Sequence, residues 1–281
     1  MIAVAGGTGR LGGRVVKRLA ARGLDVRVLT RDPARAHHLS GYAAEVISCD
    51  VRKRASVQSA LSGATTIVSA VQGFAGPGRV SPQSVDRDGN ANLIDTAADM
   101  GTDVVLLSVV GASADNPMEL FRAKYAAEQH LQLSGVRWTI VRATAFVELW
   151  AEIMKKPIVF GRGENPINFV SVDDVAAVVE RAVIDVGLRG QVIEVGGPQD
   201  LTFNELAALL QRTRGRPAKI RHVPIALLRA MAPFARQARA AIAMDTLDMT
   251  FDAPAAHHAL AEQPMTTIEA ALTQAGNVTG S

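Results

Sequence analysis

Short apolar runs alternate with amphipathic segments over the first 142 residues of the chain. The apolar runs, which predict buried strands, occupy residues 2–5, 25–30, 45–49, 65–70, 104–108 and 138–142. The segments with apolar side chains at helical spacing occupy residues 10–22, 56–61, 90–100 and 118–133. This alternation predicts an α/β fold with a Rossmann-type doubly wound parallel sheet that helices cover on both faces.

The pattern changes after residue 142. The remaining regular segments are predicted helices at 173–184 and 202–211 and a predicted strand at 192–195. Beyond residue 213 the chain shows only helical segments and loops. We therefore divide it into an NAD(P)-binding Rossmann core at 1–145 and a mixed region at 146–281, in which about residues 171–198 complete the core. From the remaining residues we predict a small C-terminal lobe that binds a substrate or a partner. We expect this lobe to lie over the carboxyl ends of the strands, where such sheets bind ligands.

Glycines are concentrated directly after the first predicted strand. The stretch Gly7-Thr8-Gly9-Arg10-Leu11-Gly12 matches G-x-G-x-x-G and opens the first predicted helix, which is the context that this dinucleotide-binding pattern requires. Such glycines permit a tight turn, close approach of a pyrophosphate and close packing of the helix on the strand. The helix N-terminus offers N–H groups and a partial positive charge to the phosphates. The residues expected to contact the dinucleotide are Gly6, Gly7, Thr8, Gly9, Arg10, Leu11 and Gly12.

The end of the second predicted strand bears on which dinucleotide binds. NAD-binding chains usually place a carboxylate there for the ribose hydroxyls, whereas this chain has Thr30 and Arg31. The planar guanidinium of Arg31 can pair with a 2′-phosphate. Asp32, followed by Pro33, predicts the N-cap of a helix instead. These residues favour NADP(H) over NAD(H), and the alternative is that Arg31 is a solvated surface residue.

Composition narrows the class of protein. The net charge of +3 and the aromatic content of 4% argue against a nucleic-acid partner. The single cysteine, Cys49, excludes an intramolecular disulfide and suits a reducing cytoplasm. No apolar run is long enough to span a membrane, and the first predicted strand begins at Ile2. We therefore expect a cytoplasmic protein without a targeting peptide.

Short motifs together resemble a known group, the atypical short-chain dehydrogenase/reductases, and within it the NmrA-like branch of NAD(P)H-binding proteins. The motifs lie at residues 5–12 (AGGTGRLG), 29–33 (LTRDP), 49–51 (CDV), 107–112 (LSVVGA), 122–128 (RAKYAAE), 140–146 (IVRATAF), 168–176 (NFVSVDDVA) and 195–198 (VGGP). The resemblance implies that Asp50 and Val51 lie near the adenine, and Ala70, Val71 and Gln72 near the ribose. The branch contains quinone, aldehyde and aromatic-substrate reductases, cofactor-sensing regulators and a respiratory-complex subunit, so it does not imply one reaction.

The catalytic pattern of this superfamily is incomplete in the chain. Its reductases typically use Tyr-x-x-x-Lys on one helical face, where the lysine orients the nicotinamide ribose and lowers the pKa of the tyrosine. Lys124 occupies the lysine position, but Leu120 stands where the tyrosine would be. We expect Lys124 to bind the cofactor and take part in the reaction, and Ser108 to polarise an acceptor oxygen. The alternatives are a solvated helical lysine beside Glu128 and a serine bonded to its own backbone.

A basic segment at residues 212–239 contains no acidic residue. Pro224 and Pro233 divide it into short pieces, and Arg229 and Arg236 would share a face of one helix. We interpret the segment as a lid that packs its apolar side on the domain and turns its arginines to water. The alternative is contact with an anionic membrane surface or an acidic partner.

Other candidates for chemistry are weak. Glu148, Trp150 and Glu152 follow the sixth predicted strand, and we interpret the two acids as solvated groups, the alternative being that the three residues line a substrate pocket. The histidine pairs at 37–38 and 257–258 lack zinc spacing. We predict no metal and no covalent nucleophile.

The sequence favours an NADPH-dependent reductase that transfers hydride to a quinone-like or carbonyl acceptor without the usual tyrosine. The proton would come from water, from Lys124 or from a ribose hydroxyl. The alternative is a non-catalytic NADP(H)-sensing protein that binds a regulatory partner, which Leu120 in place of tyrosine favours.

Overall fold

The computed structural model of the protein describes residues 1–74, 80–215, 219–252 and 265–278. Arg216 of the basic segment and the histidine pair at 257–258 lie outside these residues. The chain forms two compact units. The first contains residues 1–142 and 175–194, and the second contains residues 143–174 and those from 195 onward.

The structure contains twelve strands and ten α-helices within the described residues. The strands are β1 (Ile2–Ala5), β2 (Val26–Thr30), β3 (Glu45–Ser48), β4 (Thr66–Ser69), β5 (Asp103–Val109), β6 (Trp138–Ala143), β7 (Ala145–Phe146), β8 (Ile158–Phe160), β9 (Ile167–Val170), β10 (Gln191–Val195), β11 (Asp200–Leu201) and β12 (Arg221–Val223). The α-helices are α1 (Arg10–Ala21), α2 (Arg54–Leu61), α3 (Asp88–Met100), α4 (Glu119–Leu133), α5 (Val147–Ile153), α6 (Val172–Ile184), α7 (Phe203–Thr213), α8 (Ile225–Met231), α9 (Arg236–Met244) and α10 (Ile268–Val278). Two 3₁₀ helices (Pro33–Leu39 and Val186–Leu188) and a π-helical turn (Pro82–Arg87) complete the set.

A seven-stranded sheet with the order β10-β6-β5-β4-β1-β2-β3 forms the centre of the first unit. The strand β1 pairs in parallel with both β2 and β4, so Ile2 lies opposite Val26 and Thr66. The pairs β2–β3 and β4–β5 are also parallel. Because the strand order reverses between β1 and β4, the carboxyl ends of these strands border the crevice where such sheets bind nucleotides. The predicted Rossmann-type fold is therefore confirmed.

Local sequence signals explain the ends of several elements. Each strand and helix predicted before residue 142 is present, with ends that differ by a few residues. Asp32 begins the 3₁₀ helix Pro33–Leu39, as predicted, because its carboxylate accepts a hydrogen bond from Ala34 N at 3.1 Å. Gly101 ends α3 in the left-handed conformation, with a φ of 65°.

Two small sheets and several helices make up the second unit. The first sheet has the order β11-β9-β7, and the second pairs β12 in parallel with β8. The predicted capping box at the start of α7 is confirmed, because Thr202 and Glu205 each bond to the backbone N–H of the other. The prediction of only helices and loops beyond residue 213 is wrong at β12, which is too short to show an alternating pattern. Within the described residues, no helix is long and apolar enough to cross a membrane.

Buried acids of the first unit are paired with arginines. The fully buried carboxylate of Glu128 accepts two hydrogen bonds from Arg142 at 2.6 and 3.0 Å. Asp103 accepts from both Arg137 and Arg189 at 2.9 Å. Removing one partner of a buried pair leaves an uncompensated charge, whereas an exposed partner contributes little.

We expect Arg142→Met to lower the free energy of unfolding by about 3 kcal/mol, because Glu128 would stay buried without a partner. The matched control is Arg137→Met, whose side chain is exposed and whose partner Asp103 keeps Arg189. This control should cost less than about 1 kcal/mol. Urea unfolding of both variants measures the difference, and equal losses would contradict the account.

Candidate functional site

The turn after β1 contacts the end of β4 so closely that it leaves no room for a side chain. Gly6 has a φ of 78°, a backbone conformation that favours glycine. A Cβ atom at Gly6 would lie 2.7 Å from the carbonyl oxygen of Ala70, and one at Gly7 would lie 3.0 Å from Val28 Cγ1. The loop that follows β4 is therefore held directly against the glycine turn.

The N-terminus of α1 opens from the same turn. Gly9 is the N-cap, its N–H donates to Gly6 O at 2.9 Å, and no side chain caps the helix. A Cβ atom at Gly12 would overlap the carbonyl group of Gly6, which explains why the helix packs so closely on the turn. No acidic residue lies in the first turn of α1, so its partial positive charge is not neutralised there. A side-chain-free turn that leads into a helix N-terminus fits a pyrophosphate.

The end of β2 reaches the glycine turn through two threonines. The hydroxyl oxygens of Thr8 and Thr30 lie 3.2 Å apart. Arg31, the next residue, is exposed and makes no side-chain hydrogen bond or ion pair with a described residue. Because the Asp32 carboxylate caps the following 3₁₀ helix, no acid at this strand end is placed as in NAD-binding chains.

The residues that the resemblance places near the adenine and ribose have different environments. The Asp50 carboxylate is held by Arg52 at 2.7 and 2.9 Å, and these hydrogen bonds lower its pKa. Val51 is buried and Gln72 is exposed. Ala70 N donates to Ala5 O at 2.9 Å, which extends the pairing of β4 with β1 beyond the strand. Of this group, Ala70 and the backbone nitrogen of Val71 are brought against the glycine turn, since a Cβ at Gly6 would lie 2.7 Å from Ala70 O and 3.2 Å from Val71 N.

Lys124 lies in α4 with only 3% of its side chain exposed. Its Nζ donates to the carbonyl oxygens of Val71 and Leu107 at 3.0 Å each and lies 3.0 Å from Asp86 Oδ1. Two of the three N–H donors of the ammonium group are therefore bonded to backbone carbonyl oxygens, and the contact with Asp86 is an ion pair inside the protein. The alternative of a solvated lysine beside Glu128 is therefore wrong. The role of Lys124 in cofactor binding and in the reaction stays a prediction.

Asp86 is a site residue that the sequence analysis missed. It lies in the π-helical turn, and its second carboxylate oxygen accepts a hydrogen bond from Gly73 N at 2.7 Å. Asn90, four residues later, donates to Asp86 O at 2.6 Å and accepts from Ser69 Oγ at 2.5 Å. Burial raises the pKa of Asp86, and the charge of Lys124 opposes this effect. The network joins the end of β4, the loop after it and α4.

The sequence carried only a partial signal for this network. Asp86 and Asn90 are polar residues four apart, so they share a helical face. The nearby Arg87, Asp88 and Asn92 are also polar, so this spacing alone does not single out the two residues. Their partners Val71 O and Gly73 N are backbone groups, which no side-chain pattern indicates.

Ser108 is almost completely buried near the end of β5. Its hydroxyl has no hydrogen-bond partner among the described residues, so the alternative of a serine bonded to its own backbone is wrong. Buried hydroxyls usually have partners, and an orphaned one near a ligand-binding strand end is unusual. The adjacent carbonyl, Leu107 O, belongs to the Lys124 network.

The other candidates contribute to structure in the second unit. Glu148 is buried, not solvated as interpreted, because it accepts hydrogen bonds from Ser171 Oγ and Val172 N at the start of α6. Arg229 and Arg236 lie on different helices, α8 and α9, so they do not share one helical face. The described residues contain no group of three or more metal-ligating side chains placed to hold an ion.

Comparisons with known proteins identify the family to which the chain belongs. A family model described as NAD(P)H-binding matches residues 6–185. The chain is 30% identical over 233 residues to the NAD(P)H azoreductase of Xenophilus azovorans, an alignment that covers 81% of this chain and 78% of that protein. It is 27% identical over 242 residues to the photosystem II assembly factor Ycf39 of a Synechocystis strain, covering 84% of this chain and 74% of that protein.

The fold is also found in solved structures. The NADPH-dependent quinone oxidoreductase QOR2 from Escherichia coli, complexed with NADPH, matches with a TM-score of 0.78 and 22% identity over 98% of this chain and 99% of that one. The matched family region includes the glycine turn, the ends of β2 and β4, and the Lys124 network. The chain therefore belongs to the NAD(P)H-binding family, and its motifs resemble those of the atypical short-chain dehydrogenase/reductases.

Proposed function

We propose that the protein is an NADPH-dependent reductase of aromatic acceptors of the quinone or azo type. The observation that carries this proposal is the meeting of three strand ends at the glycine turn. Gly6 touches Ala70 after β4, Thr8 touches Thr30 at the end of β2, and α1 begins directly beyond them. This is the edge at which a doubly wound sheet binds a dinucleotide.

The chain's own residues would divide the dinucleotide among them. The backbone from Gly6 to Gly12, with the N-terminus of α1, holds the pyrophosphate. Arg31, exposed beside Thr30, pairs with the 2′-phosphate, while the Asp32 carboxylate is engaged in capping the following 3₁₀ helix. Asp50 and Val51 border the adenine, and Ala70, Val71 and Gln72 border the ribose. Bound NADPH supplies the hydride that reduces the acceptor.

The buried environment of Lys124 favours a particular class of acceptor. No tyrosine stands at the family's proton-donor position, where this chain has Leu120. The Lys124 ammonium is 3% exposed, donates to Val71 O and Leu107 O and is paired with Asp86, so it is poorly placed to protonate a substrate. A quinone that accepts hydride becomes a delocalised hydroquinone anion, which takes its proton from water. An unactivated ketone would form a far more basic alkoxide, which needs an acid catalyst.

Ser108 supplies the remaining polar group near the reacting end. Its buried hydroxyl lacks a partner among the described residues, so it can donate to a charged acceptor oxygen without breaking an existing bond. Support for the substrate class also comes from the azoreductase of Xenophilus azovorans, which shares 30% of its aligned residues with this chain.

A second function is favoured by Leu120 and by the photosystem assembly factor among the relatives. The protein would then bind NADP(H) without turnover and present a surface to a regulatory protein partner. The two functions differ in one measurable respect, which is whether NADPH is consumed.

The proposal is tested by following NADPH oxidation with a panel of quinones, azo dyes and simple ketones. We expect turnover with quinones or azo dyes and none with ketones. Gly12→Ala should abolish NADPH binding, because its Cβ would overlap Gly6 and move α1 from the turn. The matched control is Gly13→Ala, whose Cβ meets no atom closer than 3.5 Å. Tight NADPH binding without turnover on the whole panel would favour the sensor function instead.

Arg31→Ala tests the dinucleotide preference. We expect the Kd for NADPH to increase about tenfold, because the charge-assisted hydrogen bonds between Arg31 and the 2′-phosphate are lost. The Kd for NADH should stay unchanged, because NADH has no 2′-phosphate. Lys17→Ala, which removes another exposed cation of the first unit, should change neither value. Isothermal titration with both nucleotides measures the ratio, and an unchanged ratio would mean that Arg31 is only a solvated residue.

The Asp86–Lys124 pair is proposed to position the loop after β4 rather than to transfer a proton. We expect Lys124→Met to raise the KM for NADPH about tenfold and to change kcat little, because Asp86 loses the partner that balances its buried charge. The double variant Asp86→Asn/Lys124→Met leaves no unpaired charge and should recover most of the loss. A large fall in kcat that the double variant does not recover would make Lys124 catalytic.

A further inference from the structure

The basic segment of the second unit folds into a helical hairpin with one buried and one exposed side. The helices α8 and α9 are joined by a turn that contains Phe234, whose N–H donates to Met231 O at 3.0 Å. Leu228 and Ala238 are buried on the inner side. The lid interpretation required all apolar side chains of the segment to be packed, and three large ones are not.

These three apolar side chains are Leu227, Met231 and Phe234, with 51%, 46% and 92% of their surface exposed. Leu227 and Met231 are four residues apart, so they lie on one face of α8. Phe234 follows three residues later, in the turn after α8. Scattered apolar residues are ordinary on a protein surface, whereas large apolar side chains grouped at one helix end mark a candidate contact site.

The charged residues that neighbour these apolar residues in the sequence are all positive. The sequence contains no aspartate or glutamate between Glu205 and Asp245. The exposed cations of the described part of this stretch are Arg212 and Arg214 at the end of α7 and four that follow them, which are Lys219, Arg221, Arg229 and Arg239. Lys219, Arg221 and Arg229 make no ion pair with a described residue, so their charge is not neutralised by the protein. We call these four cations together with Leu227, Met231 and Phe234 the hairpin surface.

The charge of the hairpin surface decides which occupant it fits. A second copy of the chain would place the same cations opposite one another if it bound through this surface symmetrically, and like charges repel. A neutral apolar partner would leave the cations without counterions. An anionic lipid membrane fits both the cations and the apolar side chains, because its headgroups are negatively charged and its interior is apolar. Basic amphipathic helices lie in such an interface with their apolar face inserted.

We propose that the hairpin surface binds the protein reversibly to anionic lipid membranes. Phe234, Leu227 and Met231 enter the acyl boundary, and the four cations contact lipid phosphates and carboxylates. This surface shares no residue with the nucleotide-binding edge, because every residue of it belongs to the second unit.

The full-length protein is tested by flotation with phosphatidylcholine vesicles that contain or lack phosphatidylserine. We expect binding only to the anionic vesicles, and weaker binding at raised salt concentration. Phe234→Ser should lower the partition coefficient about tenfold, the effect of withdrawing one large apolar side chain. Arg229→Glu should lower it by about tenfold as well, because it changes two charge units near the surface.

Matched controls use residues outside the hairpin surface. Leu133→Ser changes an apolar side chain that is 85% exposed on the first unit, and Lys17→Glu reverses an exposed charge there. Both should bind vesicles like the unaltered protein, and all four variants should keep their NADPH affinity. The proposal is overturned by equal binding to neutral vesicles, by loss in the controls, or by no vesicle binding at all. Salt-sensitive retention on polyglutamate without vesicle binding would assign the surface to an acidic protein partner instead.

Discussion

The candidate site depends on one steric constraint, which is the absence of side chains where the turn after β1 meets α1 and the end of β4. Gly12 lies under the carbonyl of Gly6, and Gly6 lies under the carbonyl of Ala70. A Cβ at Gly6 would push the turn away from the end of β4, and a Cβ at Gly12 would push α1 away from the turn. The strand ends and the N-terminus of α1 would then no longer meet at one edge. The central sheet provides the strands, but these glycines determine whether the edge can hold a pyrophosphate.

The Lys124 network changes how the incomplete catalytic pattern is understood. The family lysine is present, yet it is buried and bonded to two carbonyl oxygens and to Asp86. A lysine in this environment links the loop after β4 to β5, and its charge is balanced by a carboxylate on another element. This environment and Leu120 in place of tyrosine are the basis for our proposal of acceptors that need no acid catalyst.

Much of the first unit could be predicted from the sequence because its signals are local. Buried parallel strands are apolar throughout, the glycine turn has a fixed spacing, and Gly101 and Asp32 mark helix ends. The Lys124 network could not be predicted, because two of its acceptors are backbone oxygens and Asp86 is distant in sequence.

The second unit was harder to predict from the sequence, also for physical reasons. Its strands β7, β11 and β12 have two or three residues, too few to show a period. The burial of Glu148 depends on Ser171 and Val172, which follow a different strand. The exposure of Phe234 depends on how two short helices pack, which their amphipathic pattern alone does not specify.

A crystal structure of the protein with NADPH tests the central claim most directly. The account predicts the pyrophosphate within hydrogen-bonding distance of the backbone N–H groups between Gly7 and Gly12, and the 2′-phosphate beside Arg31. It also predicts that Lys124 keeps its hydrogen bonds to Val71 O and Leu107 O and its ion pair with Asp86 in the complex. A dinucleotide bound away from the glycine turn, or a Lys124 that leaves Asp86 to contact the nicotinamide ribose, would contradict the account.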